Sequence, residues 1–270
     1  IVVREPLGKA TVTGTSFAAP WITRKMAYLI HVMGLSREVA KALIIDSAAG
    51  WDRQDTIKYE KGYGIVPKRI EDILYSREDE IRFIMSGSID EYEVSTYNIP
   101  VPQDMNAYPF FAKATLAYFP QSDRNQGVDY TSTEMDIHFG RIAEQKGKAV
   151  IKAIDYNKQA EEGPNTIHDE DARKLYRKWD NVKHISEALK ENGRPRKAYQ
   201  SGMWGLSIKT KERLDPKAGR GLQFGVVVTL KEMNGKNRID DFIKMCMMRG
   251  WVVTRLDVHT QVDVYVKAEE

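Results

Sequence analysis

Two hydrophobic periods divide the chain near residue 76. Over residues 1–76, apolar side chains recur every three or four positions, which predicts a strand, two helices, a turn and a third helix. Beyond them, apolar and polar side chains alternate in several runs, as in strands with one buried face. We therefore predict an α+β chain with two domains, a mainly helical one at 1–76 and an antiparallel β-sandwich of jelly-roll type at 77–270.

The helical half has clear start and stop signals. The first helix is predicted to run to about Met33, where Gly34 is suited to end it. Ser36 is predicted to cap a second helix that ends near residues 49–50, and Pro67 to open a third. The apolar stripe of the first helix consists of Ile22, Met26, Leu29, Ile30 and Met33.

The second half combines strand patterns with two helical segments. A charged, more helical segment at about 165–193 is predicted to be a helical insertion in the sandwich. A further helix is predicted at about 238–249, followed by a last β region at 251–266. The alternating runs that predict strands lie at residues 81–85, 112–118, 135–139, 206–208 and 222–230.

Composition excludes several classes of protein. With 42% hydrophobic and 29% charged residues in 270, the chain is long and apolar enough to form globular domains. The net charge of +3 gives no footprint for nucleic acid or an anionic membrane, and no apolar run approaches the length of about 20 residues that spans a bilayer. The single cysteine favours a reducing compartment such as the cytoplasm, and nothing else in the sequence indicates a location.

One short stretch, residues 14–20, has the composition of a nucleophile at a turn into a helix. It reads Gly-Thr-Ser-Phe-Ala-Ala-Pro. Gly14 is expected to let the backbone turn and approach a substrate. Ser16 is expected to open the helix, where free N–H groups can bind an anion. Ala18 keeps the first turn small enough to be buried, and Pro20 is expected just inside the helix start.

These residues resemble the nucleophile motif of the subtilases, the subtilisin-like serine peptidases, in which Gly-Thr-Ser-x-Ala-x-Pro carries the catalytic serine. Residues 35–49 look like the helix that follows the nucleophile helix in that family. Residues 61–74 are similar to its glycine-aromatic-glycine turn and closing helix. Trp21 departs from the pattern, because many members have a histidine directly after the proline. Several relatives also carry a β-sandwich after the catalytic domain.

The resemblance implies a serine endopeptidase that acts on a polypeptide through an acyl-enzyme. Ser16 would be the nucleophile and its backbone N–H an oxyanion donor, with Gly14, Thr15, Ala18 and Pro20 supporting the motif. The family's aspartate, histidine and oxyanion asparagine precede the serine, so we expect them, with any signal or pro-segment, on polypeptide before Ile1. The chain would then be a C-terminal, catalytically incomplete part. No cofactor is predicted; the family resemblance admits calcium, for which no site is identified.

Two other functions are considered beside the peptidase. Residues 77–270 could form a non-catalytic module that docks a substrate or a protein partner. Alternatively, residues 14–18 half resemble the nucleophile elbow of an α/β-hydrolase, with Asp and His residues downstream. That fold needs several strands before the elbow, and about 13 residues precede it here, so the peptidase is favoured.

None of the five histidines is predicted to serve Ser16. His31 lies about 22 Å away along the same helix at 1.5 Å per residue. His138, with Glu134 and Asp136 at alternate positions, could converge on a metal, but the solvated face of an edge strand is favoured. The same choice applies to His259 with Asp257 and Asp263. His184 has no suggestive neighbour.

Three remaining features receive structural interpretations. The acidic run at residues 168–171 could be a calcium loop, although acidic side chains at a helix start need no ion. Cys246 has apolar neighbours at helical spacing, which predicts a core cysteine. The basic cluster at residues 194–197 is predicted to be a solvated loop.

Overall fold

The structure is a computed structural model. It describes residues 2–5, 8–11, 14–49, 62–90, 93–101, 110–122, 131–154, 180–189, 203–212, 220–233, 239–248 and 250. Among the sequence predictions, the last β region, the clusters at 168–171 and 194–197, and His259 with Asp257 and Asp263 lie outside the described residues. So do both ends of the predicted insertion at 165–193.

A hairpin precedes the first helix. Strands β1 (Val2–Glu5) and β2 (Gly8–Thr11) pair antiparallel, where a single strand was predicted. Helix α1 (Thr15–Ala27) follows and continues into a π-helical turn at Tyr28–Val32. Gly34 ends the helical run with a φ of 68°, a left-handed conformation that glycine adopts without strain, as the sequence predicts.

The next two helices are shorter than predicted. Helix α2 (Arg37–Ser47) begins with the predicted cap, since the Ser36 hydroxyl accepts a hydrogen bond from the Val39 N–H at 3.2 Å. Helix α3 is the single turn Glu71–Leu74. It starts later than Pro67 because the first carbonyl to accept a helical hydrogen bond belongs to Ile70.

Eight strands form two four-stranded antiparallel sheets. In spatial order, the first sheet consists of β3 (Glu80–Ile89), β10 (Leu222–Glu232), β5 (Phe110–Tyr118) and β8 (Val182–Leu189). The second consists of β4 (Val94–Pro100), β9 (Met203–Glu212), β6 (Thr133–Gln145) and β7 (Lys148–Ala153). The predicted helix near the C-terminus is α4 (Ile239–Met248).

The sheets face each other across one hydrophobic core, which makes the fold an antiparallel β-sandwich, as predicted. The inward side chains are those of the predicted alternating runs, for example Phe83, Leu116 and Val226 of the first sheet. Trp204, at the centre of the second sheet, contacts two phenylalanine rings with centroids 5.2 and 5.7 Å away. Cys246 of α4 is fully buried in this core, which confirms its predicted structural role.

The helical segment packs on the outer face of the first sheet. Leu43 and Ile44 of α2 share a second hydrophobic cluster with Ala117 and Val227, which point away from the inter-sheet core. Gly225 of β10 lies directly under α2, because a Cβ at this position would be 2.4 Å from the backbone nitrogen of Val39. The residues before and after the predicted domain boundary at residue 76 therefore pack closely against each other.

The contact at Gly225 predicts a large cost for adding one methyl group. Gly225→Ala would push α2 off the sheet or distort β10, and we expect a loss of about 2 kcal/mol in the free energy of unfolding. Urea denaturation followed by circular dichroism measures this difference. A loss below about 0.5 kcal/mol, the usual range of surface substitutions, would contradict the packing of α2 against β10.

The predicted helical insertion is wrong over its described part. Residues 182–189 form strand β8 at the edge of the first sheet, paired with β5. Val182 belongs to the cluster beneath the helices and Ile185 to the inter-sheet core, so both faces of the strand are buried. Apolar residues three apart on a strand buried on both sides imitate a helical period. Among the described helices, none is long and apolar enough to cross a membrane.

Candidate active site

Ser16 lies in the first turn of α1, two positions beyond the helix cap that a serine at a helix start would occupy. The cap is Gly14, whose carbonyl accepts hydrogen bonds from the N–H groups of Phe17 and Ala18 at 3.1 and 3.2 Å. Ser16 is thus the second residue of the helix. Its own N–H is one of the leading donors that have no acceptor within a helix, and it lies at the positive end of the helix dipole.

The first turn of α1 is open to solvent. Every residue from 14 to 20 is exposed, and no described residue makes a hydrogen bond with the Ser16 hydroxyl. Phe17 and Trp21 are 41% and 45% exposed, which is high for aromatic side chains. Among the described elements, none covers the turn at Ala18, so its predicted suitability for burial stays a prediction.

Gly14 has an ordinary extended backbone, with φ at 160° and ψ at 154°. A Cβ would meet only the Phe17 ring, at 3.6 Å, which is normal van der Waals contact. Any residue adopts this conformation, so the backbone at Gly14 does not itself depend on glycine. What glycine provides here is open space beside Ser16.

Pro20 is the sixth residue of α1, deeper than the predicted position just inside the start. A proline there has no N–H to give to the Ser16 carbonyl four residues earlier, and its ring crowds that carbonyl. The helix continues through Pro20 to Ala27 despite this cost. Pro20 therefore weakens the turn that contains Ser16.

Replacing Pro20 by alanine is therefore expected to stabilise the fold. Pro20→Ala restores one backbone hydrogen bond and removes the crowding, and we expect a gain of about 2 kcal/mol in the free energy of unfolding. Thermal denaturation compares the two proteins. Ala19→Gly, which weakens the same exposed turn by about 1 kcal/mol, is the reference variant. A loss of stability in Pro20→Ala would contradict the position of Pro20 inside the helix.

The inner side of α1 anchors the turn through a buried lysine. Lys25 is 7% exposed, and its ammonium donates a hydrogen bond to the Lys68 carbonyl at 2.6 Å. Burial lowers the pKa of Lys25, and the nearby Arg24 adds to this effect. The ammonium also lies 5.9 Å from the centre of the Trp21 ring. These contacts tie α1 to the segment before α3.

The two downstream motif segments meet each other. Ala49 and Ile65 form an isolated antiparallel bridge, with N–H to oxygen distances of 3.2 and 2.8 Å. Gly64 lies against it with a φ of 128°, and a Cβ there would be 2.7 Å from the Ala49 oxygen. The predicted glycine-tyrosine-glycine turn thus needs glycine at its second glycine position, both for conformation and for space.

His138 and its neighbours do not form the solvated edge face that was favoured. Strand β6 is an inner strand, and Glu134 and Asp136 are buried. Lys183, also buried, donates a hydrogen bond to Glu134 at 2.5 Å, which compensates that carboxylate. His138 Nε2 lies 3.9 Å from Asp136 Oδ2. Within the described ranges, no three side chains gather in a way that would hold a metal ion.

A buried polar cluster was missed by the sequence analysis. Asp46 of α2 is 1% exposed and accepts hydrogen bonds from Thr115 and Thr229 at 3.1 and 2.7 Å. Lys113 lies 3.2 Å from the same carboxylate and also donates to the Asp46 backbone oxygen. These four residues join α2 to the outer face of the first sheet. The available signal was an aspartate on the buried stripe of α2, at i+3 from Leu43.

His184 belongs to the same region, although no suggestive neighbour was predicted for it. Its Nδ1 is 2.8 Å from Thr115 Oγ1, and its ring meets that of Tyr63 edge-on at 5.4 Å. Tyr63 comes from the glycine-tyrosine-glycine turn, so His184 connects that turn to the first sheet. His31 is exposed in the π-helical turn, fifteen residues beyond Ser16 on a continuous helical run.

Comparison with known proteins assigns no role to the residues of this site. No family model matches the chain, and no curated protein matches it. Solved structures with a similar course of the chain include the VP2 subviral particle of infectious bursal disease virus, at 13% identity over 68% of this chain and 37% of that one, with a TM-score of 0.28. Tomato aspermy virus matches at 11% identity over 74% and 97%, with a TM-score of 0.26.

A third similar structure is the capsid of the Helicobacter pylori bacteriophage KHP30, at 10% identity over 57% of this chain and 91% of that one. Its TM-score is 0.23. At this level the three likenesses assign neither a family nor a function.

Proposed function

We propose that the chain carries the nucleophile of a subtilisin-like serine endopeptidase, with Ser16 as the attacking residue. The observation that carries the proposal is the place of the motif serine, exposed in the first turn of α1 with its hydroxyl unpaired among the described residues. The downstream motif segments support it, because the Ala49–Ile65 bridge joins them in one small structure.

In the proposed reaction Ser16 Oγ attacks the carbonyl carbon of a peptide bond. A histidine takes the hydroxyl proton, and the amine leaves with that proton, which gives an acyl-enzyme that water hydrolyses. The Ser16 N–H donates to the oxyanion, favoured by the positive end of the α1 dipole. Gly14 leaves room for the substrate beside the nucleophile.

The histidine, its aspartate and the second oxyanion donor are assigned to polypeptide other than these 270 residues. In the subtilases they precede the serine, and residues 1–15 contain neither Asp nor His. Phe17 and Trp21, exposed four residues apart on α1, offer an apolar surface on which such polypeptide could pack. We call a chain extended in this way the complete enzyme.

The sandwich is proposed to be of the jelly-roll class. Apart from the β6–β7 hairpin, its strands alternate between the sheets in chain order, so that β3, β10, β5 and β8 face β4, β9, β6 and β7. This order is that of two Greek keys folded on each other. The α/β-hydrolase alternative lacks support, because an antiparallel hairpin precedes Ser16 and the described sheets are not parallel.

Labelling with a fluorophosphonate tests the proposal. The 270-residue chain alone is expected not to react, and the complete enzyme, longer by roughly one domain of 250 to 300 residues, is expected to react at Ser16. Ser16→Ala should abolish labelling, and Ser36→Ala, at another exposed serine, should retain it. Reaction of the 270-residue chain alone would indicate a self-contained hydrolase. Absence of labelling in the complete enzyme would overturn the peptidase proposal.

A further inference from the structure

The outer face of the second sheet carries an open groove of about 720 Å³. The helices cover the first sheet, and none of the described elements lies across this face. The groove follows β9, the strand between β4 and β6. Its volume is in the range of protein binding sites for small or extended ligands. The groove is lined by Val94, Thr96, Asn98, Asp136, His138, Ile142, Ala149, Val150, Ile151, Gly205, Ser207, Lys209 and Lys211.

One end of the groove is apolar and its middle is polar. At the apolar end, Ile151 and Ile142 lie over Gly205, where a side chain would collide with Ile151 at 2.7 Å. In the middle, Ser207 pairs across the sheet with Thr96 on one side and His138 on the other. Hydroxyl and imidazole groups in one row can hydrogen-bond the N–H and C=O groups of a ligand backbone.

The other end is cationic. Lys209 is partly buried and forms no ion pair with any described residue, and Lys211 follows two positions along the same face. The only carboxylate in the lining is that of Asp136, which pairs across the sheet with Lys209. Asp136 Oδ1 already accepts a hydrogen bond from the Ile137 N–H at 2.9 Å. A partly buried ammonium without an ion pair is stabilised by a ligand carboxylate.

We propose that this groove binds an extended polypeptide segment with apolar side chains at one end and acidic side chains at the other. Apolar side chains would lie against Ile142 and Ile151, and carboxylates would pair with Lys209 and Lys211. From Gly205 to Lys211 the strand spans about 20 Å, the length of roughly six extended residues. The site is independent of Ser16, so it goes beyond the proposed peptidase function.

Nucleic acid is the less suitable occupant. The lining contains no phenylalanine, tyrosine or tryptophan on which a base could stack, and it includes the carboxylate of Asp136. The apolar wall at Ile142 and Ile151 contributes nothing to phosphate binding. A single-stranded oligonucleotide therefore enters the test as the competing ligand.

Fluorescence anisotropy with two dye-labelled hexapeptides tests the groove in the 270-residue chain. The first peptide has three leucines followed by three glutamates, and the second has glutamine in place of glutamate. We expect the glutamate peptide to bind at least about 10-fold more tightly, which corresponds to about 1.4 kcal/mol. Lys209→Ala should weaken its binding by about 5-fold or more, and Lys209→Ala with Lys211→Ala by about 10-fold or more.

Two control variants separate the groove from general surface charge. Lys244→Ala removes an exposed lysine of α4 and should leave binding unchanged. Thr96→Trp fills the groove while keeping both lysines, and should weaken binding by about 10-fold or more. Equal effects of Lys244→Ala and Lys209→Ala, or unchanged binding in Thr96→Trp, would overturn the proposal. So would tighter binding of the oligonucleotide than of the glutamate peptide. None of these results depends on peptidase activity.

Discussion

Asp46→Ala is expected to lower the free energy of unfolding by about 3 to 5 kcal/mol, the largest effect on stability among the variants considered. The substitution leaves the partly buried Lys113 ammonium without its carboxylate, and it removes the acceptor of two threonine hydroxyls. A buried donor that loses its partner costs about 1 to 3 kcal/mol, and a charged one costs more. Urea denaturation monitored by circular dichroism measures the loss.

Two further variants define the cause of that loss. Asp46→Asn keeps an oxygen for the threonines and removes only the charge, so it should fall between the wild-type protein and Asp46→Ala. Asp79→Ala removes a partly exposed ion pair with Lys231, 3.6 Å apart, and should change stability by less than about 1 kcal/mol. Similar losses in Asp46→Ala and Asp79→Ala would show that α2 does not dock on the sheet through Asp46.

Helix ends were the most predictable feature because their signals are local. Ser36 caps α2 through a hydrogen bond to a residue three positions away, and Gly34 ends the preceding helical run by its own backbone conformation. Neither depends on the rest of the fold. Pro67 shows the limit of such signals. It is suited to a helix start, but the first carbonyl to accept a helical hydrogen bond after it is that of Ile70.

Strands were predicted where apolar and polar side chains alternate along the chain and missed where they do not. The alternating run in β10 has large side chains in the inter-sheet core, and its period of two is clear. Strand β8 has Val182 under the helices and Ile185 in the inter-sheet core, so its apolar positions lack that period. Strand β4 is an edge strand with several exposed positions, and its apolar and polar side chains give no consistent face. Burial of strands is decided by tertiary neighbours, which the sequence does not display.

The same distinction applies to the sites. Ser16 could be proposed as the nucleophile from the sequence because the motif is contiguous and each residue type in it has a local structural reason. The Asp46 cluster joins residues up to 183 positions apart, from one helix and two strands. No local pattern links an aspartate on a helix to a threonine on a strand, so only the fold reveals the cluster. The groove on the second sheet likewise depends on strand register across β4, β9 and β6.

Ser16→Ala is expected to abolish peptide hydrolysis by the complete enzyme, with a loss in kcat of about 10⁴- to 10⁶-fold and little change in KM. In the proposed reaction the hydroxyl acts in the transition state and contributes little to the binding of the ground state. Stability should be unchanged or slightly higher, because the side chain is exposed and alanine favours a helix more than serine does. Hydrolysis of a labelled protein substrate and thermal denaturation give the two measurements.

Ser36→Ala is the matched control, because Ser36 is also an exposed serine at the start of a helix. It should leave hydrolysis unchanged and lower the free energy of unfolding by about 1 kcal/mol, since it removes the cap of α2. The two substitutions are therefore expected to have opposite effects. Ser16→Ala should lower activity without lowering stability, and Ser36→Ala should lower stability without lowering activity. Retained hydrolysis in Ser16→Ala would show that Ser16 is not the nucleophile. Thr15 is the other hydroxyl-bearing residue in the first turn of α1.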